Sequence, residues 1–198
     1  MKAEPLARVF GYPGEIQGQI IDFPKWTSVI DNQHKASEVC DNEQGCITQK
    51  WQQFVDDLEG QPALKQLEAV NRYVNRVDYV PDEKNYGQAD HWATPAEFLA
   101  NGGDCEDFAI LKMFSLLRLG WSQDSMRLVV VQDTKLRTPH AVLAVSLGAD
   151  VMVLDNQASK IKKSDSIKHY APVYSLSDKD WWLHSPAEQT LAAAPASR

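Results

Sequence analysis

The apolar residues of this chain change period once, near Gly120, and that change constrains the fold more than any other feature of the sequence. Upstream, Ile47, Trp51, Phe54, Val55 and Leu58 recur at three- and four-residue spacing, the mark of one buried helical face. Gly60 and Pro62 stop that helix, and Leu64, Leu67, Val70, Tyr73 and Val74 mark the next. Thr94-Pro95-Ala96-Glu97 opens another: Thr caps it, Pro fits the first helical position, and Glu stands three residues after the cap. A further helix begins at Asp104 and runs to Leu119, with Phe108, Leu111, Phe114 and Leu117 along one face and Gly120 as its stop. Downstream the apolar residues cluster in short β-rich runs at 128–131, 140–145 and 151–154. Segments around Val173 and Trp181-Trp182-Leu183 are expected to add two edge strands. Helices first and a meander of strands after predict an α+β domain with N-terminal helices and an antiparallel sheet. Residues 1–24, punctuated by Gly and Pro, and the polar stretch 78–91 read as irregular, and the tail from Leu191 reads as frayed.

The 198 residues suit one domain, with a helical lobe over 25–119 and a β-rich lobe over 126–184. A net charge of −7 argues against a nucleic-acid partner, whose footprint is a basic face, and suits a protein that handles cations. No run of about 18 apolar residues exists, so no membrane insertion is expected. No apolar stretch follows Lys2, so the N-terminus is not an intact secretory signal. The three cysteines include no CxxC, which argues against structural zinc. Cys40 and Cys46 either form a small-loop disulfide in an oxidising compartment or are ordinary thiols.

The chemistry concentrates in Gly102-Gly103-Asp104-Cys105-Glu106-Asp107. Two glycines let the chain turn sharply into a helix, and Cys105 falls in its first turn. There the helix dipole and free N–H groups favour a thiolate and can hold an oxyanion. A nucleophilic thiol needs a base, and the base an orienting group. His140 begins an apolar β-run, and if Val145 pairs with Asp150, Asp155 falls opposite His140, with side chains about 5 Å apart. Packing the Cys105 helix on that sheet completes a Cys-His-Asp triad. Taken singly, Cys105 reads more readily as a small core residue, His140 as a strand-end surface residue and Asp155 as a turn former, and only the three together favour catalysis.

Asp104, Glu106 and Asp107 would oppose a thiolate, because like charges raise a thiol's pKa. A bound cation removes that penalty, and hard oxygen ligands suit Ca²⁺. The alternative is that these acids merely cap the helix and complement its dipole.

Trp92-Ala93-Thr94-Pro95-Ala96-Glu97-Phe98-Leu99, the Gly103-Asp104-Cys105-Glu106-Asp107 element, His140-Ala141-Val142-Leu143 and Leu154-Asp155-Asn156 together resemble the bacterial transglutaminase-like cysteine proteinases, and among them the periplasmic proteases that release large biofilm adhesins. The resemblance implies a papain/transglutaminase-like fold. It implies Cys105 as nucleophile, His140 as general base and acid, and Asp155 as the orienting carboxylate. It further implies a Ca²⁺ site beside the nucleophile, with Asp104, Glu106 and Asp107 as the matching acids. Two protein partners follow from it, an adhesin cut in its N-terminal region and an inner-membrane receptor for cyclic diguanylate that sequesters the protease. The indole N–H of Trp92 is a candidate second oxyanion donor. Two other functions remain open, acyl transfer to an amine by the same triad and a non-catalytic Ca²⁺-responsive binding module.

Overall fold

The computed structural model describes residues 6, 8–36 and 44–184. The Cys40–Cys46 pairing and the tail from Leu191 lie outside the described residues. Helix α1 (Pro24–Ala36) opens the expected helical lobe, and α2 (Gln44–Asp56) and α3 (Ala63–Val74) form where the periodicity places them. The stretch 78–91 contains a single helical turn, α4 (Asp82–Asn85), and an isolated parallel bridge from Tyr79 to Gly103. Thr94 caps α5 (Pro95–Asn101) in a reciprocal box. Its hydroxyl accepts from Glu97 N at 3.3 Å, and Glu97 Oε2 accepts from Thr94 N at 2.8 Å.

Gly102 and Gly103 set the angle between α5 and α6 (Cys105–Arg118). Gly102 has φ +75°, and a Cβ there would lie 2.5 Å from the Asp78 carbonyl oxygen. A Cβ on Gly103 would overlap the Asp107 carboxylate and stand 2.8 Å from the Phe98 ring. Only bare backbone lets the 78–80 segment and Asp107 pack against the start of α6.

The sheet has eight strands in the order β1-β2-β8-β7-β3-β4-β5-β6, and every pairing is antiparallel. Its members are β1 (Arg8–Val9), β2 (Tyr12–Gln19), β3 (Met126–Asp133), β4 (Thr138–Leu147), β5 (Asp150–Leu154), β6 (Lys162–Lys163), β7 (Tyr170–Leu176) and β8 (Asp180–His184). Ala141, Leu143 and Val145 of β4 join a core with Phe108, Leu111 and Leu116 of α6. On the opposite face Val142 and Ala144 pack with Leu6, Val9, Phe10 and Tyr170. Both faces of β4 are therefore covered, which is why its apolar run does not alternate with polar residues.

Three expectations are corrected. Of the stretch 1–24, expected to be irregular, the described residues 8–9 and 12–19 form β1 and β2. Consequently β7 and β8 are interior strands, since β2 pairs with the outer side of β8. Strand β2 escapes pattern reading because it is glycine-bearing and largely exposed. Its glycines serve close approach: a Cβ on Gly14 would stand 3.0 Å from the His184 ring.

The third correction concerns register. Leu147 pairs with Asp150 across a two-residue turn, Gly148-Ala149, with Gly148 at φ +62°. The turn is two residues shorter than the Val145–Asp150 pairing requires. A two-residue slip keeps every side chain on its face, whereas a one-residue slip would invert them. Asp155, one residue beyond the Leu143–Leu154 pair, thus lies diagonal to His140 rather than opposite it.

Candidate active site

Cys105 is the first residue of α6, and Asp104 caps it. The sulfur lies beside the backbone N–H of Ala141, so the start of α6 rests on the start of β4. The thiol donates to Glu106 Oε2 at 3.4 Å. Burial pushes the thiol pKa up, and the charges of Glu106 and Asp104 push it further.

His140 is 2% exposed, and its Nε2 lies 2.9 Å from Asp155 Oδ1. The same oxygen accepts from Gln157 N at 2.9 Å, while Oδ2 accepts from the Tyr170 hydroxyl at 2.7 Å. Asn75, the residue that ends α3, ties the main chain, its amide donating to Asp155 O at 2.8 Å. Burial alone would raise the Asp155 carboxyl. The hydrogen bond and charge of His140, with the Gln157 and Tyr170 donors, outweigh it and hold the group below its usual range. His140 Nδ1 is left facing Gln157 Nε2 at 3.4 Å. The structure thus brings His140 and Asp155 into contact and places Cys105 against the residue next to His140. In this arrangement the thiol points to Glu106, not to the imidazole.

The acids beside Cys105 form a larger cluster than the sequence suggests. Carboxylate oxygens of Asp82, Asp104 and Asp107 lie within 4.8 Å of one another, as do those of Asp82, Asp90 and Glu106. Burial drives Glu106 up to about 10, aided by its hydrogen bond to Asp104 and the charges of Asp104 and Asp107. Burial likewise carries Asp107 to about 8, although the Ala93 N–H lowers it and the Asp104 charge raises it. Both Asp107 oxygens are engaged by backbone, Oδ1 by Ala93 N at 2.7 Å and Oδ2 by Asp104 N at 3.1 Å. Asp107 therefore braces the turn into α6. By contrast, Asp82 Oδ1 and Asp104 Oδ1 are buried with no hydrogen-bond partner. Two orphaned carboxylate oxygens among mutually repelling acids fit a hard divalent cation, which would satisfy both.

Trp92 Nε1 donates to Asp90 Oδ1 at 3.1 Å, so its N–H is taken by the acid cluster in this structure and is not offered to an oxyanion. Asp82, Asp90, Gln157 and Tyr170 were not legible as site residues. Asp82 and Asp90 sit in a polar stretch at no fixed spacing from Cys105, and Tyr170 reaches Asp155 only through β7 pairing with β3.

The family model of the bacterial transglutaminase-like cysteine proteinase BTLCP matches residues 31–188. Among solved structures, the chain is 32% identical to Legionella pneumophila LapG over 78% of this chain and 87% of that one, with a TM-score of 0.65. The calcium-bound form of LapG gives 30% identity over 83% and 93% of the two chains, with a TM-score of 0.66. The EGTA-treated form gives 32%, 78%, 84% and 0.65. No curated protein sequence matches the chain. The α+β arrangement of helices on an antiparallel sheet is thus the transglutaminase-like fold.

Proposed function

The chain belongs to the bacterial transglutaminase-like cysteine proteinases, and from that premise we propose that it is a calcium-dependent endopeptidase with a Cys105-His140-Asp155 triad. Its substrate is the N-terminal region of a large cell-surface adhesin, whose release it controls. It works in the periplasm, where the periplasmic domain of an inner-membrane cyclic-diguanylate receptor sequesters it. No helix of the described residues is long and apolar enough to cross a membrane.

One observation carries the catalytic reading: a buried His140–Asp155 pair stands next to a cysteine at a helix N-terminus. Nε2 donates to Asp155, so Nδ1, which faces Gln157 Nε2 at 3.4 Å, is the nitrogen left to take the thiol proton. That step requires the Cys105 side chain to rotate away from Glu106. The thiolate attacks a peptide carbonyl, and the Cys105 N–H at the start of α6 faces the developing oxyanion. His140 returns its proton to the leaving amine, then activates the water that cleaves the thioester. Asp155 holds the ring in its orientation throughout.

Asp82, Asp104 and Glu106 would hold Ca²⁺, with Asp90 and Asp107 beside them. When bound, the cation supplies positive charge that lets these acids ionise and offsets their opposition to a thiolate. Support comes from the two orphaned oxygens and from the calcium-bound form of the similar LapG.

The test is cleavage of an adhesin N-terminal fragment by wild type and Cys105→Ala, with Ca²⁺ and with EGTA. Cleavage by the wild type in Ca²⁺ alone is the expected result. Cleavage by folded Cys105→Ala overturns the triad, and cleavage that ignores EGTA overturns the calcium dependence. Amine incorporation without hydrolysis would make the enzyme an acyl transferase.

A further inference from the structure

Tyr170 opens β7 and is 5% exposed. Its ring stands edge-on to Phe10, with centroids 5.5 Å apart, and its centroid lies 5.6 Å from that of His140. Its hydroxyl is the donor on Asp155 Oδ2, at 2.7 Å. The other oxygen, Oδ1, serves His140 Nε2 and Gln157 N. Asp155 is itself 5% exposed, so water has little access to replace a missing donor.

We propose that Tyr170 is a positioning residue of the triad, whose hydroxyl fixes the Asp155 carboxylate plane so that neutral His140 carries its proton on Nε2. The catalytic consequence rests on the protease reading above, whereas the effect on the imidazole does not. A neutral imidazole has one ring proton and two places to put it. With Oδ1 held against the ring, the proton stays on Nε2 and Nδ1 keeps the lone pair that accepts the thiol proton. If the carboxylate swings about its last torsion, the Nδ1–H form becomes accessible, and that form cannot deprotonate Cys105. Gln157 Nε2, 3.4 Å from Nδ1, favours the same tautomer from the other side. Burial and the Asp155 charge both push the Tyr170 phenol well above its ordinary range, so it remains a donor at working pH.

The experiment compares wild type with Tyr170→Phe, which keeps the ring and removes only the oxygen. The His140 tautomer is read from two-bond ¹H–¹⁵N spectra of histidine-labelled protein, with the resonance assigned by His140→Gln. Wild type is expected to show the Nε2–H form alone, and Tyr170→Phe a mixture. In the cleavage assay kcat should fall about tenfold with KM unchanged, the size of one hydrogen bond to a charged group. Phe10→Leu, which disturbs the packing under Tyr170 but spares its hydroxyl, should leave the tautomer intact. Para-aminophenylalanine at position 170, which retains a donor, should recover much of the single tautomer. A single Nε2–H form in Tyr170→Phe overturns the proposal whatever happens to kcat. A mixed tautomer with undiminished kcat overturns it too. Absence of cleavage by the wild type would count against the protease reading alone, and the tautomer comparison would still decide the role of Tyr170.

Discussion

Replacing Lys112 by Met should stabilise the protein, and the gain should fade as pH rises. Lys112 lies in the middle of α6 and is 0% exposed, and its Nζ has no hydrogen-bond partner. The Phe108 ring, 5.9 Å from Nζ, gives it a weak cation–π contact. Burial lowers its pKa from 10.5 to about 7, and the nearby Asp155 charge opposes only part of that fall. A fall of that size corresponds to ~5 kcal/mol at 1.36 kcal/mol per pH unit, an upper bound for the strain of holding the ammonium indoors. Between about pH 7 and 10.5 the unfolded chain binds a proton that the folded chain has released. Wild-type stability should therefore rise with pH across that window through this group, and the penalty is complete below it. Met fills similar volume with no charge to bury. Urea unfolding of both proteins at pH 6 and pH 9.5 isolates the effect, because groups far from position 112 cancel in the difference. The expected gain is ~2–4 kcal/mol at pH 6, allowing for lost cation–π and Coulomb contacts, and less than half of that at pH 9.5. A gain equal at both pH values, or a loss at pH 6, would refute the reasoning.

Asp155→Ala should fold but lose about two orders of magnitude in kcat, since His140 loses its orienting acceptor and Tyr170 its partner; steady-state cleavage with circular dichroism as the folding control checks this. Asp82→Asn should weaken Ca²⁺ binding at least tenfold in a calorimetric titration, while leaving the fold seen in EGTA unchanged, because its orphaned oxygen is one of the two that ask for a cation. Gly103→Ala should destabilise by about 2 kcal/mol or more in urea unfolding, since its methyl group meets Asp107 and Phe98 where neither can retreat.

What the sequence made legible was local. The Thr94 box and the Asp104 start of α6 depend on residues three apart, and both caps are present. The helix faces and strands β3, β4 and β5 depend on apolar spacing within a dozen residues. What pattern could not reach was contact between distant segments. Strand β2 is built from glycine and polar residues because it needs close approach to β8 more than burial. Asp82 enters the acid cluster because Tyr79 bridges to Gly103, and nothing in the spacing announces that bridge.

The His140–Asp155 pair shows why one inference outlived a wrong step. The turn between β4 and β5 is two residues tighter than Val145–Asp150 pairing requires, so the geometry first drawn for the pair does not exist. Face, however, depends on parity and not on exact register, and an even slip preserves it. The diagonal placement then needs something to draw the two groups together beyond strand pairing. The main chain turns at Asp155, where β5 has ended, with its carbonyl tied to Asn75. Gln157 N and the Tyr170 hydroxyl close on the carboxylate from two further directions. Strand parity brings Asp155 to the right face, and those three ties, two of them from distant segments, bring Oδ1 to within 2.9 Å of His140 Nε2. A site of this kind is half written in local pattern and half in the packing that surrounds it, and the second half is where Tyr170 was hidden.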